Sequence, residues 1–399
     1  MRRSPTVAAL VALLVVGIAA FMLAATSNAP TASPSPVAKA ASPSPFLSVP
    51  PGTLPPPLPD IYNSGVFLPA GVWVQDNHRL LQSSDFGQTW TAGAIPDSTL
   101  GGQPADAPGG WLDILDATHA WVVTQDDAGT DSTHNQLKVT VHRSTDGGRT
   151  WLDTPLPGNY PNTLEAIHFV DAEHGFVLIA PGSLFLHTSP LFATSDGGQS
   201  WAIAGTDGLL GSILTATDEQ TIWAASPGDA DPLERRIFAV SRDAGRTWTD
   251  VPLPGVAHAT GQEAFAITPP AFVGSTGAII VVRVGAPNAD IDRSLDGGRT
   301  WTQVGSTSFR PLAMVSATTW LTPGERAGTL SRTTDAGETW ETVVGQGLPP
   351  GTIGSLDFID AKSGIAIVTT GPAGGPRLYL TSDAGATWQP ADFGTVVNP

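Results

Sequence analysis

The chain has 399 residues, 36 acidic against 19 Lys and Arg, and a formal net charge of −17. Nucleic-acid binders concentrate Lys and Arg against phosphate, so this balance excludes that class and predicts no nucleic-acid partner. With no cysteine there is no disulfide framework, and 44 Gly with 36 Pro at 14% charged residues point to short strands joined by many turns.

Taken from the N-terminus, Met1-Arg2-Arg3 precedes an apolar run from Val7 to Ala25. That run exceeds an ordinary secretory core and is about long enough to span a bilayer. Residues 1–25 are expected to form a signal anchor or signal peptide, the anchor favoured, with the two arginines in the cytoplasm. The rest of the chain is then expected to be extracytoplasmic, anchored in the cell membrane or secreted. Residues 26–60 are rich in Ala, Ser and Pro, with Ser33-Pro34-Ser35-Pro36, Ser42-Pro43-Ser44-Pro45 and Pro55-Pro56-Pro57. Such a segment buries too little apolar surface to order itself and reads as a disordered linker.

Residues 61–399 carry a repeat. Ser-x-Asp-x-Gly-x-Thr-Trp, or a close variant, occurs seven times, at Ser83 to Trp90, Ser144 to Trp151, Thr194 to Trp201, Ser241 to Trp248, Ser294 to Trp301, Thr333 to Trp340 and Thr381 to Trp388. All seven keep the aspartate (Asp85, Asp146, Asp196, Asp243, Asp296, Asp335, Asp383), the glycine and the tryptophan. Successive tryptophans are about 50 residues apart, the period of one four-stranded unit. Asp bonds backbone N–H groups ahead of it and Gly supplies positive φ, so Asp-x-Gly predicts a hairpin tip. Thr-Trp is strand material, and the indole is large enough to wedge between neighbouring sheets.

A second pattern precedes the repeat. Leu112 to Trp121, Ile167 to Phe176 and Leu356 to Ile365 share one register: a short strand, an Asp-Ala turn at Asp116, Asp171 or Asp360, then an apolar strand. In the looser copy from Phe265 to Val284, Pro269 and Pro270 predict that the first strand ends early.

These boxes resemble the Asp-boxes of the BNR-repeat β-propellers. That class includes sialidases, xyloglucanase-like glycosidases, the sortilin ectodomain, and the photosystem II assembly factors with their bacterial relatives. The resemblance covers residues 61–399 and implies an all-β fold: a single seven-bladed propeller of four-stranded blades. It also implies that each box joins the third and fourth strands at the rim, leaving binding to the opposite face. The long segments expected there are Thr91 to Gly110, Thr124 to Lys138, Ser226 to Arg236 and Gly285 to Asp292.

Chemistry is harder to find. Sialidases carry an Arg-Ile-Pro motif, which is absent; Phe309-Arg310-Pro311 lies in the wrong place, and only Tyr62, Tyr160 and Tyr379 could act as nucleophile. Glycoside hydrolysis by two carboxylates is the wider possibility, with Glu165, Asp357 and Asp113 on first strands as candidates. Arg235 and Arg236 are a basic pair in an acidic chain and a candidate binding feature beside Glu165 and Asp357. Asp126, Asp127 and Asp131 are weak calcium candidates without the usual loop spacing, and no cofactor is expected. The expectation is a non-enzymatic, monomeric scaffold for a protein or glycan partner, with a sialidase-like or xyloglucanase-like glycoside hydrolase as the alternative.

Overall fold

The computed structural model describes residues 65–397 except for internal stretches, the longest being 97–110, 128–136, 180–189, 226–237 and 257–264. The expected leader and linker, residues 1–60, lie outside the described residues, as do Asp131, Arg235 and Arg236. The described residues form strands and turns arranged in seven sheets that follow one another in chain order, antiparallel except for one strand added to sheet 1. Sheet 1 holds Gly65–Leu68, Gly71–Asp76, Arg79–Ser83 and Trp90–Ala94. Sheet 2 holds Trp111–Ile114, Ala120–Asp127, Leu137–Ser144 and Leu152–Pro155. Sheets 3 to 7 open with Leu164–Phe169, Ile213–Ala216, Phe265–Ile267, Ala313–Met314 and Thr352–Phe358.

First strands touch between sheets 2 and 3, 3 and 4, and 6 and 7, and that of sheet 1 also meets that of sheet 7. The outer edge of sheet 1 is covered from the far end of the chain, where Val396–Val397 pairs in parallel with Trp90 and Thr91. In sheet 5 the two prolines split the first strand as expected. Phe265–Ile267 and Ala271–Val273 both pair with Thr276–Arg283.

Each repeat turn joins the third and fourth strands of its sheet. In sheet 5 the Ser294 hydroxyl donates to Asp296 (2.8 Å) and accepts the N–H of Gly298, while Asp296 accepts the N–H and hydroxyl of Thr300 at 2.9 and 2.7 Å. The same bonds recur at Asp85, Asp146, Asp196, Asp243, Asp335 and Asp383. In the six later turns two successive residues take left-handed backbone, and at three copies the first is alanine: Ala244, Ala336 and Ala384, with φ of 58°, 58° and 62°. The first-to-second turns lie on the same face. Their carbonyls at Thr118, Glu173, Gln220, Ser275, Thr318 and Lys362 accept N–H groups of the six later repeat turns.

Apolar clusters fill the spaces between sheets, because each sheet has a neighbour on both faces. Trp121 and Val141 of sheet 2 pack with Phe169 and Phe192 of sheet 3. Trp223 and Phe238 of sheet 4 pack with Ile279 and Trp301 of sheet 5. Trp90, Trp201, Trp248, Trp301 and Trp388 are buried, whereas Trp151 and Trp340 are half-buried. At roughly 25 cal/mol per Å² of apolar surface, these indoles are among the larger contributors to the inter-sheet contacts.

Candidate functional site

The repeat aspartates are committed to their own turns. Asp296 is held down at about 2 by the Thr300 N–H, then by the Thr300 hydroxyl. Asp243 and Asp335 are likewise at about 2, first through the hydroxyls of Thr247 and Thr339. Carboxylates stabilised this way accept hydrogen bonds and do not act as general acids near neutral pH. Chemistry must come from elsewhere, and the strand ends away from the repeat turns form the opposite face.

Glu165 occupies a distinctive backbone position on the first strand of sheet 3. Ala166 pairs with Leu178 and Leu164 with Ile179, so Glu165 is the extra residue of a β-bulge. Sheet 7 repeats the irregularity, with Gly354 the extra residue between Ile353 and Ser355. Bulges bend a strand, strengthen its twist and recur beside active sites.

Asp113, His168 and Asp357 share the next-to-last position of their first strands, close to the first-to-second turns. Asp113 is 5% exposed, and its Oδ2 accepts the N–H of Phe169 from sheet 3 at 2.5 Å. Burial pushes its carboxyl up, against the pull of His168 and of the Phe169 and Ile114 N–H groups. His168 Nε2 donates to the Ala216 carbonyl of sheet 4 at 3.1 Å, and its Nδ1 lies 3.9 Å from Asp113. These two side chains therefore brace successive first strands. Asp357 is also buried, and its Oδ1 accepts the N–H of Phe358 at 2.8 Å.

Asp126 and Asp127 lie on a longer ladder than the sequence suggested, opposite Lys138 and Leu137. Among the described residues no group of three His, Asp or Glu side chains is arranged to hold a metal ion.

The sequence reading did not single out Asp292, on the third strand of sheet 5, Ala289–Ser294. It is 1% exposed, and neither carboxyl oxygen has a hydrogen-bond partner. Burial, with Asp290 adding to it and Arg283 opposing, raises it to about 7. Asp290 is engaged by Arg283 at 2.9 Å and by Gln303 at 2.7 Å.

No family model matches the chain. Two curated xyloglucanases are similar to it in sequence. That of Hypocrea jecorina (strain QM6a) is 22% identical over 263 residues, 58% of this chain and 30% of the relative. That of a Paenibacillus sp is 26% identical over 286 residues, 63% of this chain and 26% of the relative. The chain thus spans less than a third of the length of the curated relatives it matches. Among solved structures, the GH74 xyloglucanase from Xanthomonas campestris superposes with a TM-score of 0.56 at 14% identity, covering 84% of this chain and 55% of that one. YCF48 bound to D1 peptide reaches 0.48 at 16% identity, covering 82% and 97%. At these identities the structural likeness speaks to fold alone, and it supports the expected all-β, propeller-like architecture. The expectation of a non-enzymatic scaffold is overturned, because both curated sequence relatives are xyloglucanases.

Proposed function

We propose that the chain is a glycoside hydrolase acting on a polysaccharide of the xyloglucan class. The observation that carries this reading is the sequence similarity to two curated xyloglucanases, each spread over more than half of this chain. In this reading the seven sheets are the blades of one Asp-box ring, and substrate lies across the face opposite the repeat turns. The bulge makes Glu165 the first candidate for a reacting carboxylate, and Arg235 and Arg236 are proposed to contact substrate. Asp113 ties the first strands of sheets 2 and 3 together around it. Hydrolysis needs one carboxyl group protonated at the leaving oxygen and a second, ionised one to attack or to activate water. Residues 1–25 are proposed to deliver the enzyme outside the cytoplasm, where such a polymer is met.

Reducing ends released from xyloglucan and from unsubstituted β-1,4-glucan by the purified full chain provide the test. Turnover on xyloglucan that falls at least about 100-fold in Glu165→Gln, with the fold intact by circular dichroism, is the expected result. No turnover on either polymer by the unaltered chain would sink the proposal.

A further inference from the structure

Asp292 is an orphan in an otherwise apolar joint. Its strand faces sheet 4, whose side of the joint is built from Trp223, Phe238, Val240, Val251 and Leu253. An isolated carboxylate there would lack both water and hydrogen-bond donors, and burying one uncompensated is costly. The nearby cation is already taken, since the Arg283 Nη2 bonds Asp290. Yet the Arg283 Nε is itself buried without a partner. One guanidinium with a spare donor thus stands near two carboxyls, only one of which it serves.

We propose that the joint between sheets 4 and 5 is a proton-operated switch in which ionisation of Asp292 draws Arg283 away from Asp290. With Asp292 protonated, Arg283 stays on Asp290 and the apolar faces pack closely. With Asp292 ionised, two carboxylates compete for one guanidinium, and the joint loosens to admit water. The raised affinity of Asp292 for its proton agrees with this direction and places the change near neutral pH.

Two features connect the switch to the rest of the molecule. Arg283 lies against Gly255, where an added Cβ would stand 2.5 Å from Nη2, so its movement is felt by the connection leaving sheet 4. The described part of that connection, residues 251–256, follows the end of the fourth strand that points away from the repeat turn. The charged groups near the joint, among the described residues, are Asp290 and Arg283 on sheet 5, with Arg242, Asp243, Asp250 and Arg299 lining a rim groove of about 330 Å³ between the sheets. Asp243 stays ionised throughout, at about 2.

The test uses the full chain, following amide hydrogen exchange in 276–283 and 248–256 and thermal unfolding between about pH 5 and pH 8. The unaltered protein is expected to lose protection in both segments at the higher pH, measured against the intrinsic exchange rate at each pH, and to lose roughly 5 °C in Tm. Asp292→Asn should flatten both responses. Arg283→Gln, which removes the competing cation, should move the transition to higher pH. Should Asp292→Asn not fold, loss of the protonated-carboxyl infrared band of the unaltered protein on the same titration replaces it. An Asp292→Asn response identical to that of the unaltered chain overturns the proposal. So does an infrared band already absent at about pH 5.

Discussion

Asp292 and Asp296 stand four residues apart on one strand and its turn, and they sit at opposite ends of the carboxylate range. Asp296 is held at about 2 and Asp292 is raised to about 7. Both belong to sheet 5 and both have charged neighbours, so net charge does not separate them. Hydrogen-bond supply does. The turn wraps Asp296 in the N–H groups of Arg299 and Thr300 and the hydroxyls of Ser294 and Thr300. The strand leaves Asp292 facing an apolar wall, and neither of its carboxyl oxygens meets a donor. A carboxylate is stabilised by donors brought to it locally and is penalised by burial that brings none.

The sharpest way to break this contrast is to remove the buried group. Its folded value lies above the unfolded value of 3.8. Its contribution is therefore complete below about pH 4 and is lost as pH rises toward 7, a loss of up to about 4 kcal/mol. Asp292→Leu should accordingly be more stable than the unaltered chain at pH 8 in urea unfolding, by a large part of that amount. His142 occupies the same repeat position in sheet 2, but there Thr124 meets Nε2 at 2.7 Å and Asp153 meets Nδ1 at 2.7 Å. His142→Ala should cost about 1–3 kcal/mol, measured the same way, because packing and two satisfied bonds are lost together. Asp296→Ala should lower stability above about pH 4, with the difference from the unaltered chain closing as pH falls toward 2, the reverse of Asp292. Thermal unfolding from acid to neutral pH checks that sign. The smallest effect is expected from Ala244→Gly, Ala336→Gly or Ala384→Gly. Relief of left-handed backbone, less the entropy glycine adds to the unfolded chain, should raise stability by about 0.5 kcal/mol each.

Much of the fold was legible because turn chemistry is local. Asp-x-Gly marks every third-to-fourth hairpin, Asp116, Asp171 and Asp360 mark first-to-second turns, and Pro269-Pro270 marks the broken strand. Asp292 was not legible. The sequence reading placed Gly285 to Asp292 in a long connecting segment, whereas Ala289–Ser294 is a strand; both faces of a sheet here are covered by neighbours, so polar alternation does not distinguish inside from outside. Arg293 shows the other outcome of the same ambiguity: it crosses to sheet 6 and donates to the Ala336 carbonyl at 3.1 Å and to Glu338 at 3.2 Å. The bulge at Glu165 was hidden for another reason. A one-residue slip depends on the partner strand, and no single segment encodes it.

The parallel pairing of Val396–Val397 with Trp90 and Thr91 gives the molecule a particular history during synthesis. Sheet 1 precedes the other six sheets in the chain, yet the edge of its outer strand stays uncovered until Val396–Val397 has been made. An uncovered edge invites pairing with the wrong chain. This pairing joins residues about 300 apart in the chain, the kind of contact that folds slowly and exposes intermediates to aggregation. Crowded nascent chains of this protein are thus most vulnerable at the edge they made earliest.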